Sequence, residues 1–364
     1  MAEFQSSKLA TRVRFPPPAP DFEMTREWGL LKGKRSGAVR LISCRMARRF
    51  FYICCGWLLG LSGSFADNGW EGQILSLTWE NDAIVNRDKH YTQGAKIAYL
   101  SSDDSLPNWA DHLSRHLPAL GLSTQAQKFG LAVGQEIYTP GNLQAANLIT
   151  NDRPYAGWLY ASVALQRRGL SPAALPVTET FRLDLGVIGP ESLAEATQKQ
   201  WHGVPPKGWV NQLKTEPGLA LRYQRDYLFS AKWKNGWGYD IIPGFGGSAG
   251  NVATSLNLDS EIRAGYGVPN EFEVPLQPTP TKFGAYLFTG VEGRYVARNL
   301  FLDGNSFRAG PHVDKKPWVG DWRTGVTMVI KNVELTAAVT YRSKEFNGQH
   351  SGDSFGTATL TIKF

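Results

Sequence analysis

Short stretches of alternating polarity constrain the fold of this chain more than any other feature. Leu221 and Tyr223, for example, flank the polar Arg222, and about twelve comparable stretches rich in Trp, Tyr and Phe follow one another. A period of two places successive side chains on opposite faces of a strand. Strands of about ten residues with aromatic ends are typical of outer-membrane β-barrels. The twelve stretches lie near 72–81, 91–101, 127–137, 155–168, 177–188, 217–229, 235–243, 250–264, 283–297, 318–331, 333–344 and 354–364.

We therefore predict an all-β fold, a twelve-stranded antiparallel transmembrane β-barrel with a short helix in an outer loop. The chain closes on Phe364, and a terminal aromatic residue is common in the last strand of this class. No segment after residue 66 is apolar enough over 18 residues to predict a transmembrane helix. A soluble β-sandwich or a periplasmic barrel is the alternative.

The first 66 residues predict export. Residues 1–45 are Arg-rich and aperiodic, and we interpret them as a non-native or mistranslated leader. Residues 46–66 contain a charged start, an apolar run and a small-x-small site ending at Ala66, which together predict a cleaved secretory signal peptide. The barrel domain would then be 67–364, located in the bacterial outer membrane.

Removing this leader changes the interpretation of the charge. Residues 1–66 hold 11 of the 39 Lys and Arg and 4 of the 32 Asp and Glu, so 28 of each remain and the exported part is neutral. Nothing then favours nucleic acid as a partner. All three cysteines, Cys44, Cys54 and Cys55, also precede the cut, which excludes disulfides and a thiol nucleophile from the exported part.

Candidate chemistry gathers at one end of the predicted barrel. Asn81 and Asp82 end the first strand, and Thr92 opens the second, so a hairpin would bring them together. These oxygen-bearing side chains suit a hard cation, although Asn, Asp and Thr are also ordinary turn formers. With the N-terminus in the periplasm, this hairpin loop and the longer later links face outward. The link 102–126 fits poorly, because it is long for a periplasmic turn and contains a predicted helix, 107–117.

A second predicted helix, 191–201, lies in the third outer loop and is followed by His202. Gln198 and His202 are four residues apart and share a face while the helix lasts. An imidazole near a cation bound by Asn81 and Asp82 suits metal-assisted ester hydrolysis, in which the base deprotonates water and the cation polarises the carbonyl. Gly246–Gly250 matches G-x-S-x-G, but no helix pattern follows, so we interpret it as a glycine-rich loop.

With these residues in place, the chain resembles the lipid A 3′-O-deacylase family of Gram-negative outer membranes. The resemblance rests on motifs that run in family order across residues 72–203. They are Glu80-Asn81-Asp82, Asp88-Lys89-His90-Tyr91-Thr92-Gln93-Gly94, Gly134-Gln135-Glu136-Ile137-Tyr138-Thr139-Pro140, Asp152-Arg153-Pro154-Tyr155-Ala156-Gly157, Gly186-Val187-Ile188-Gly189-Pro190 and Gln198-Lys199-Gln200-Trp201-His202.

The resemblance implies a calcium-dependent esterase that removes the 3′-linked acyloxyacyl group of lipid A, with an active site between the barrel wall and a loop helix. It implies His202 as general base, Asn81 and Asp82 at the Ca²⁺ site, and Thr92 and Gln198 lining the site. The second outer loop, 141–151, lacks a basic residue, so Arg153 is the nearest candidate for a substrate phosphate.

The expected partners are lipid A or lipopolysaccharide as substrate and the lipids of the outer membrane, with the protein acting as a monomer. Two other functions stay open. One is a small porin or structural barrel whose loops only bind stabilising cations. The other is a barrel phospholipase that uses a Ser–His pair, for which no serine has motif support.

Overall fold

The computed structural model describes four ranges of the chain. They are residues 72–82, 90–201, 205–272 and 283–364. The predicted leader, the signal peptide and the three cysteines lie outside these ranges, so their boundaries stay predictions. No helix in the described ranges is long and apolar enough to cross a membrane.

The described chain is mostly antiparallel strand, with three α-helices in the links. The strands are β1 (Ile74–Asn81), β2 (His90–Leu100), β3 (Ser123–Thr139), β4 (Ala156–Leu170), β5 (Pro176–Ile188), β6 (Glu216–Tyr227), β7 (Phe229–Lys232), β8 (Trp237–Ala249), β9 (Ala253–Tyr266), β10 (Phe283–Asn299), β11 (Trp318–Ile330), β12 (Val333–Arg342) and β13 (Asp353–Lys363). The helices are α1 (Asn108–His116), α2 (Ala194–Trp201) and α3 (Leu300–Asp303), and short 3₁₀ turns cover Pro190–Ser192 and Trp209–Asn211.

The sheet closes into a barrel through the first and last strands. Strand β1 pairs with β13 from Ile74 opposite Lys363 to Asn81 opposite Gly356. Strands β6 and β7 both pair with β8, so they form one barrel strand interrupted at Leu228. The predicted closed twelve-stranded antiparallel barrel is therefore confirmed.

The two faces of the wall differ as the alternation predicts. On β3, Leu131 and Val133 point outward and are 48% and 57% exposed. The inward residues of neighbouring strands instead form ion pairs, such as Asp184 with Arg222 at 2.8 Å and Asp321 with Arg342 at 2.8 Å. An apolar outer band and a polar interior are the arrangement of a membrane barrel.

The links define two ends of the barrel. Short turns at 171–175, 233–236 and 331–332 lie at one end, which we call the turn end. The other end, where β1 and β3 finish, carries the long links after β1, β3, β5, β10 and β12, and we call it the site end. There α3 caps the lumen, with Phe301 stacked on Tyr138 at a centroid distance of 4.3 Å.

Two details of the sequence prediction need correction. Helix α2 begins at Ala194 rather than 191, because Leu193 adopts a left-handed conformation (φ 60°) that separates it from the preceding 3₁₀ turn. Gly246–Ala249 is also not a loop but the end of strand β8. A side chain at Gly246 would overlap Gln224 on the neighbouring strand, which explains the glycine there.

Candidate functional site

Asn81 and Thr92 lie on the outward face of the wall at the site end. Leu77 pairs with Ile97, which points outward, and Asn81 pairs with Gln93. Asn81 lies four residues after Leu77 on the same strand, so the two side chains share the outward face. A bulge in β2 between Tyr91 and Gln93 sets Thr92 apart from regular pairing. The Asn81 amide nitrogen donates to the Thr92 carbonyl at 3.0 Å. Because a carbonyl only accepts, this bond orients the amide of Asn81.

Thr92 also forms a hydrogen bond to the third strand, β3. Its hydroxyl is 2.7 Å from the hydroxyl of Thr139 at the end of β3. The two side chains are 1% and 0% exposed, although both belong to the outward face. Val133, which lies six residues before Thr139 on the same face of β3, is 57% exposed. Another segment of the chain must therefore cover the outer wall at the level of Thr92 and Thr139 but not at the level of Val133.

The cover is the third outer loop with helix α2. Ala194 and Trp209 pack with Ile137 on the outer wall and bury it completely. Gln135 donates to the Ser192 carbonyl at 2.6 Å. A Cβ at Gly157 would overlap both Ser192 and Ala194, so this glycine lets the start of the helix rest on the wall.

Helix α2 presents Gln198 to the buried side of this cover. The indole of Trp209 donates to the Gln198 side-chain oxygen at 2.7 Å, and Gln198 is 1% exposed. An indole can only donate, so the amide nitrogen of Gln198 is the remaining donor. That nitrogen is buried and has no hydrogen-bond partner within the described ranges. A buried unpaired donor of this kind suits a ligand oxygen.

Two predicted site residues border the gaps in the description. Asp82 is 2% exposed at the end of β1. His202 follows Trp201, the last residue of α2, and lies outside the described residues. The described ranges contain no group of three or more His, Cys, Asp or Glu side chains that could hold a metal ion. Asn81 and Asp82 offer oxygen ligands of the type that Ca²⁺ accepts.

The sequence matches the family described as outer membrane protein LpxR over residues 50–364. The chain belongs to the LpxR family. This membership places it in the outer membrane and agrees with the family that its motifs resemble. No curated protein matches the chain significantly.

Among solved structures, the one from the same family shares the fold of this chain. The structure of LpxR from Salmonella typhimurium has a TM-score of 0.64 with 19% identity and covers 80% of this chain and 100% of that one. The β domain of the Bordetella autotransporter BrkA has a TM-score of 0.41 with 8% identity, over 80% of this chain and 99% of that one. An outer membrane channel from Pseudomonas putida F1 has a TM-score of 0.41 with 10% identity, over 83% and 98%.

In this LpxR-family barrel, the predicted residue Arg153 lies apart from Asn81, Thr92 and Gln198. Its guanidinium lies on the lumen side, 3.3 Å from Glu345 and 4.8 Å from the ring centre of Tyr138. The side chain is fully buried there, and its Nε and Nη2 atoms have no hydrogen-bond partner in the described chain. Asn81, Thr92 and the helix lie on the opposite face of the wall. A contact between Arg153 and a lipid phosphate stays a prediction.

The structure also adds a cluster that the sequence did not single out. The Nδ1 atom of His90 is 2.8 Å from Asp353, and its Nε2 atom is 3.2 Å from Asp152. Gln349 donates to the same Asp353 carboxylate at 2.9 Å. Three loops therefore meet at His90, which lies two residues before Thr92 in the chain. Only the motifs containing His90 and Asp152 hinted at this, because Asp353 is far away in sequence.

Asp152 is held ionised by these neighbours. Burial alone would raise the pKa of its carboxyl, but hydrogen bonds from His90 and from the backbone N–H of Gly141 at 2.7 Å outweigh that effect. The pKa of Asp152 therefore lies below its ordinary value of 3.8. The charged carboxylate stabilises the junction of the first, second and last long loops.

Proposed function

We propose that this protein hydrolyses the 3′-linked acyloxyacyl ester of lipid A. Membership of the LpxR family supports this deacylase activity. The observation that supports it is the position of three polar side chains on the outward, lipid side of the wall rather than in the lumen: Thr92 and Gln198 are buried there, and Asn81 is partly buried. An acyl chain could stay in hydrocarbon there while its ester reaches polar side chains.

We assign the general base to His202. It follows α2 directly, four residues after Gln198, at the end of the helix that covers the site. In this mechanism the imidazole removes a proton from a water molecule, which attacks the ester carbonyl. The sugar oxygen then leaves as an alkoxide and takes up the proton from the imidazolium to become a hydroxyl, and no acyl-enzyme forms. General base catalysis of this type contributes about 10²- to 10⁴-fold to the rate.

The amide nitrogen of Gln198 would assist at the carbonyl oxygen. Trp209 holds the amide so that this nitrogen, an unpaired donor within the described chain, is the group available to an incoming acceptor. A donor aimed at the developing oxyanion stabilises the transition state more than the ground state. Thr92 supports the same region through Thr139 and Asn81.

Calcium dependence belongs to the same proposal. Asn81 and Asp82 supply a carboxamide and a buried carboxylate, and hard oxygen donors of this kind fit Ca²⁺. These two residues would hold the ion, with further ligands to be found by experiment. When bound, Ca²⁺ would polarise the ester carbonyl.

The test is mass spectrometry of lipid A from cells that express the wild type, His202→Ala or His312→Ala. His312 is an exposed histidine in another loop of the site end and serves as the matched control. We expect loss of one acyloxyacyl group with the wild type and the control only. The purified wild type should lose activity in chelator and regain it with Ca²⁺ but not with Mg²⁺.

Unchanged lipid A with folded wild type supplied with Ca²⁺ would contradict the deacylase. In that case, channel conductance and phospholipid hydrolysis would test the porin and the phospholipase alternatives. Activity that persists in chelator would leave the deacylase standing but contradict the role of Ca²⁺. Full activity of His202→Ala would contradict the assigned base.

A further inference from the structure

The link between β2 and β3 has no part in the proposed site and is far longer than the short turns at 171–175, 233–236 and 331–332. It runs from residue 101 to 122 and contains α1 (Asn108–His116). The sequence predicts this helix but leaves its presence in a turn unexplained. The contacts of the link show where it lies and which surface it exposes.

The link packs on the outer face of the wall. Gln127 pairs with Arg167, and four residues further along the same two strands the outward-facing Leu131 pairs with Val163. Gln127 and Arg167 therefore also point outward. The hydroxyl of Ser114 donates to Gln127. The ring of Trp109 stands perpendicular to that of Phe129, with centroids 5.5 Å apart. Helix α1 therefore lies beside the barrel rather than across its lumen.

The link covers three charged side chains of the outer wall. Arg167, Glu179 and Arg225 form one ion cluster, and each is at most 3% exposed. Charged side chains on the lipid face of a membrane barrel are destabilising.

Backbone carbonyls of the link complete the hydrogen bonds of this cluster. Arg167 donates to the carbonyls of Leu117 at 3.4 Å and Pro118 at 2.5 Å, and Arg225 donates to that of Ala119 at 3.3 Å. The segment that follows α1 thus supplies the acceptors and keeps the cluster away from lipid.

Helix α1 has two different flanks beside its buried face. Trp109 and Leu113, four residues apart, form an apolar flank and are 55% and 48% exposed. Asp111 and Arg115 form an ion pair of 2.5 Å on the other flank. Ala110 and Ser114 are buried between them against the wall.

The apolar flank faces the middle of the barrel. Strand β3 runs from Ser123 at the turn end to the site end, so Phe129, the partner of Trp109, lies nearer the middle than Gln127, the partner of Ser114. The next outward residues are the exposed Leu131 and Val133 of the apolar band. The flank is therefore continuous with the surface that contacts lipid.

We propose that α1 is an interfacial helix whose Trp109 and Leu113 insert into the phospholipid leaflet at the turn end. Tryptophan next to an apolar residue, with charges on the far flank, is the pattern of a helix at a headgroup boundary. Leu120, after the helix, is a further apolar side chain of the link and is 57% exposed. The link then has two effects: it seats this end of the barrel in the leaflet and shields the Arg167 cluster.

The test uses spin labels at single cysteines in a chain whose Cys44, Cys54 and Cys55 are replaced by Ser. Leu113→Cys reports on the proposed surface. Leu131→Cys is the lipid-facing reference, and Arg115→Cys, on the charged flank, is the aqueous reference. Each labelled protein is reconstituted in phosphatidylethanolamine–phosphatidylglycerol bilayers. Collision rates with oxygen and with a water-soluble nickel complex then give the depth of the label.

We expect the label at 113 to resemble the one at 131, with an oxygen-to-nickel collision ratio at least several-fold above that at 115. A ratio equal to that at 115 would overturn the proposal by placing the flank in water. Shielding from both reagents would also overturn it, because it would show that a protein segment or a second copy covers the flank. The result is independent of the proposed hydrolysis, since no activity is measured.

Discussion

The indole nitrogen of Trp209 donates a hydrogen bond of 2.7 Å to the side-chain oxygen of Gln198. This bond joins the 3₁₀ turn Trp209–Asn211 to helix α2 and orients the amide. It decides that nitrogen, rather than oxygen, is the free end of Gln198. The chemistry proposed for the carbonyl oxygen of the ester depends on this orientation.

Trp209→Phe should therefore lower the deacylation rate while the barrel stays folded. A hydrogen bond of this type contributes about 1 kcal/mol, which corresponds to a rate loss of several-fold to about ten-fold if it acts only through Gln198. Initial rates on purified lipid A measure the effect. Trp318→Phe, at a 70% exposed position, is the control and should act like wild type. Equal rates for both variants would contradict the positioning of Gln198 by Trp209.

Gly157→Ala should displace the start of α2, because the added methyl group would overlap Ser192 and Ala194. A shift of about 1 Å near a reacting group can reduce the rate about 10²-fold. Gly293→Ala is the matched control, since nothing lies within 4 Å of the added methyl group there. Both variants should keep the thermal transition of a folded barrel. Loss of activity in both variants, or in neither, would argue against a helix seated on Gly157.

Thr92→Val and Thr139→Val should each reduce the free energy of unfolding, because each leaves a buried hydroxyl without its 2.7 Å partner. The expected loss is about 1–3 kcal/mol for each single variant. The double variant should lose clearly less than the sum, because neither hydroxyl is then unpaired. Denaturant unfolding in detergent micelles measures all four proteins. Strict additivity would show that the two hydroxyls do not interact.

Asp152→Asn should remove a contribution to stability that depends on pH. The pKa of Asp152 is lower in the folded protein than its ordinary value of 3.8, so the carboxylate stabilises the fold above that pH. This stabilisation is lost as the pH falls from 3.8 through the folded pKa. The unfolding free energies of wild type and variant should differ at pH 6 and converge below pH 3.8. Parallel curves over this range would contradict the role of the ionised carboxylate.

The local pattern of the sequence was sufficient for the architecture. Alternation at a period of two predicts which residues are strands and which side of each strand is apolar, because that pattern is set by neighbours one and two positions away. It predicts a strand across the break at Leu228, and it locates α1 within one residue at each end. It does not identify Gly246–Ala249 as strand, because glycines carry no polarity to alternate.

The motifs select the candidate site residues, but not their geometry. Asn81, Thr92 and Gln198 are predicted from motif and hairpin position, and the structure brings Asn81 and Thr92 together on the outer wall. The lumen-facing position of Arg153 depends on Glu345, which is 192 residues away. A contact between positions so far apart is set by strand register and loop packing, which leave no local pattern.

The sequence by itself thus determined the twelve strands, the polarity of their faces and the residue types available for chemistry. Tertiary structure alone decided that Trp209 orients Gln198, that His90 joins Asp152 to Asp353, and that α1 lies outside the wall. The physical reason is the range of the interactions. Backbone alternation is local, whereas these contacts exist only once the barrel has closed and brought distant loops together.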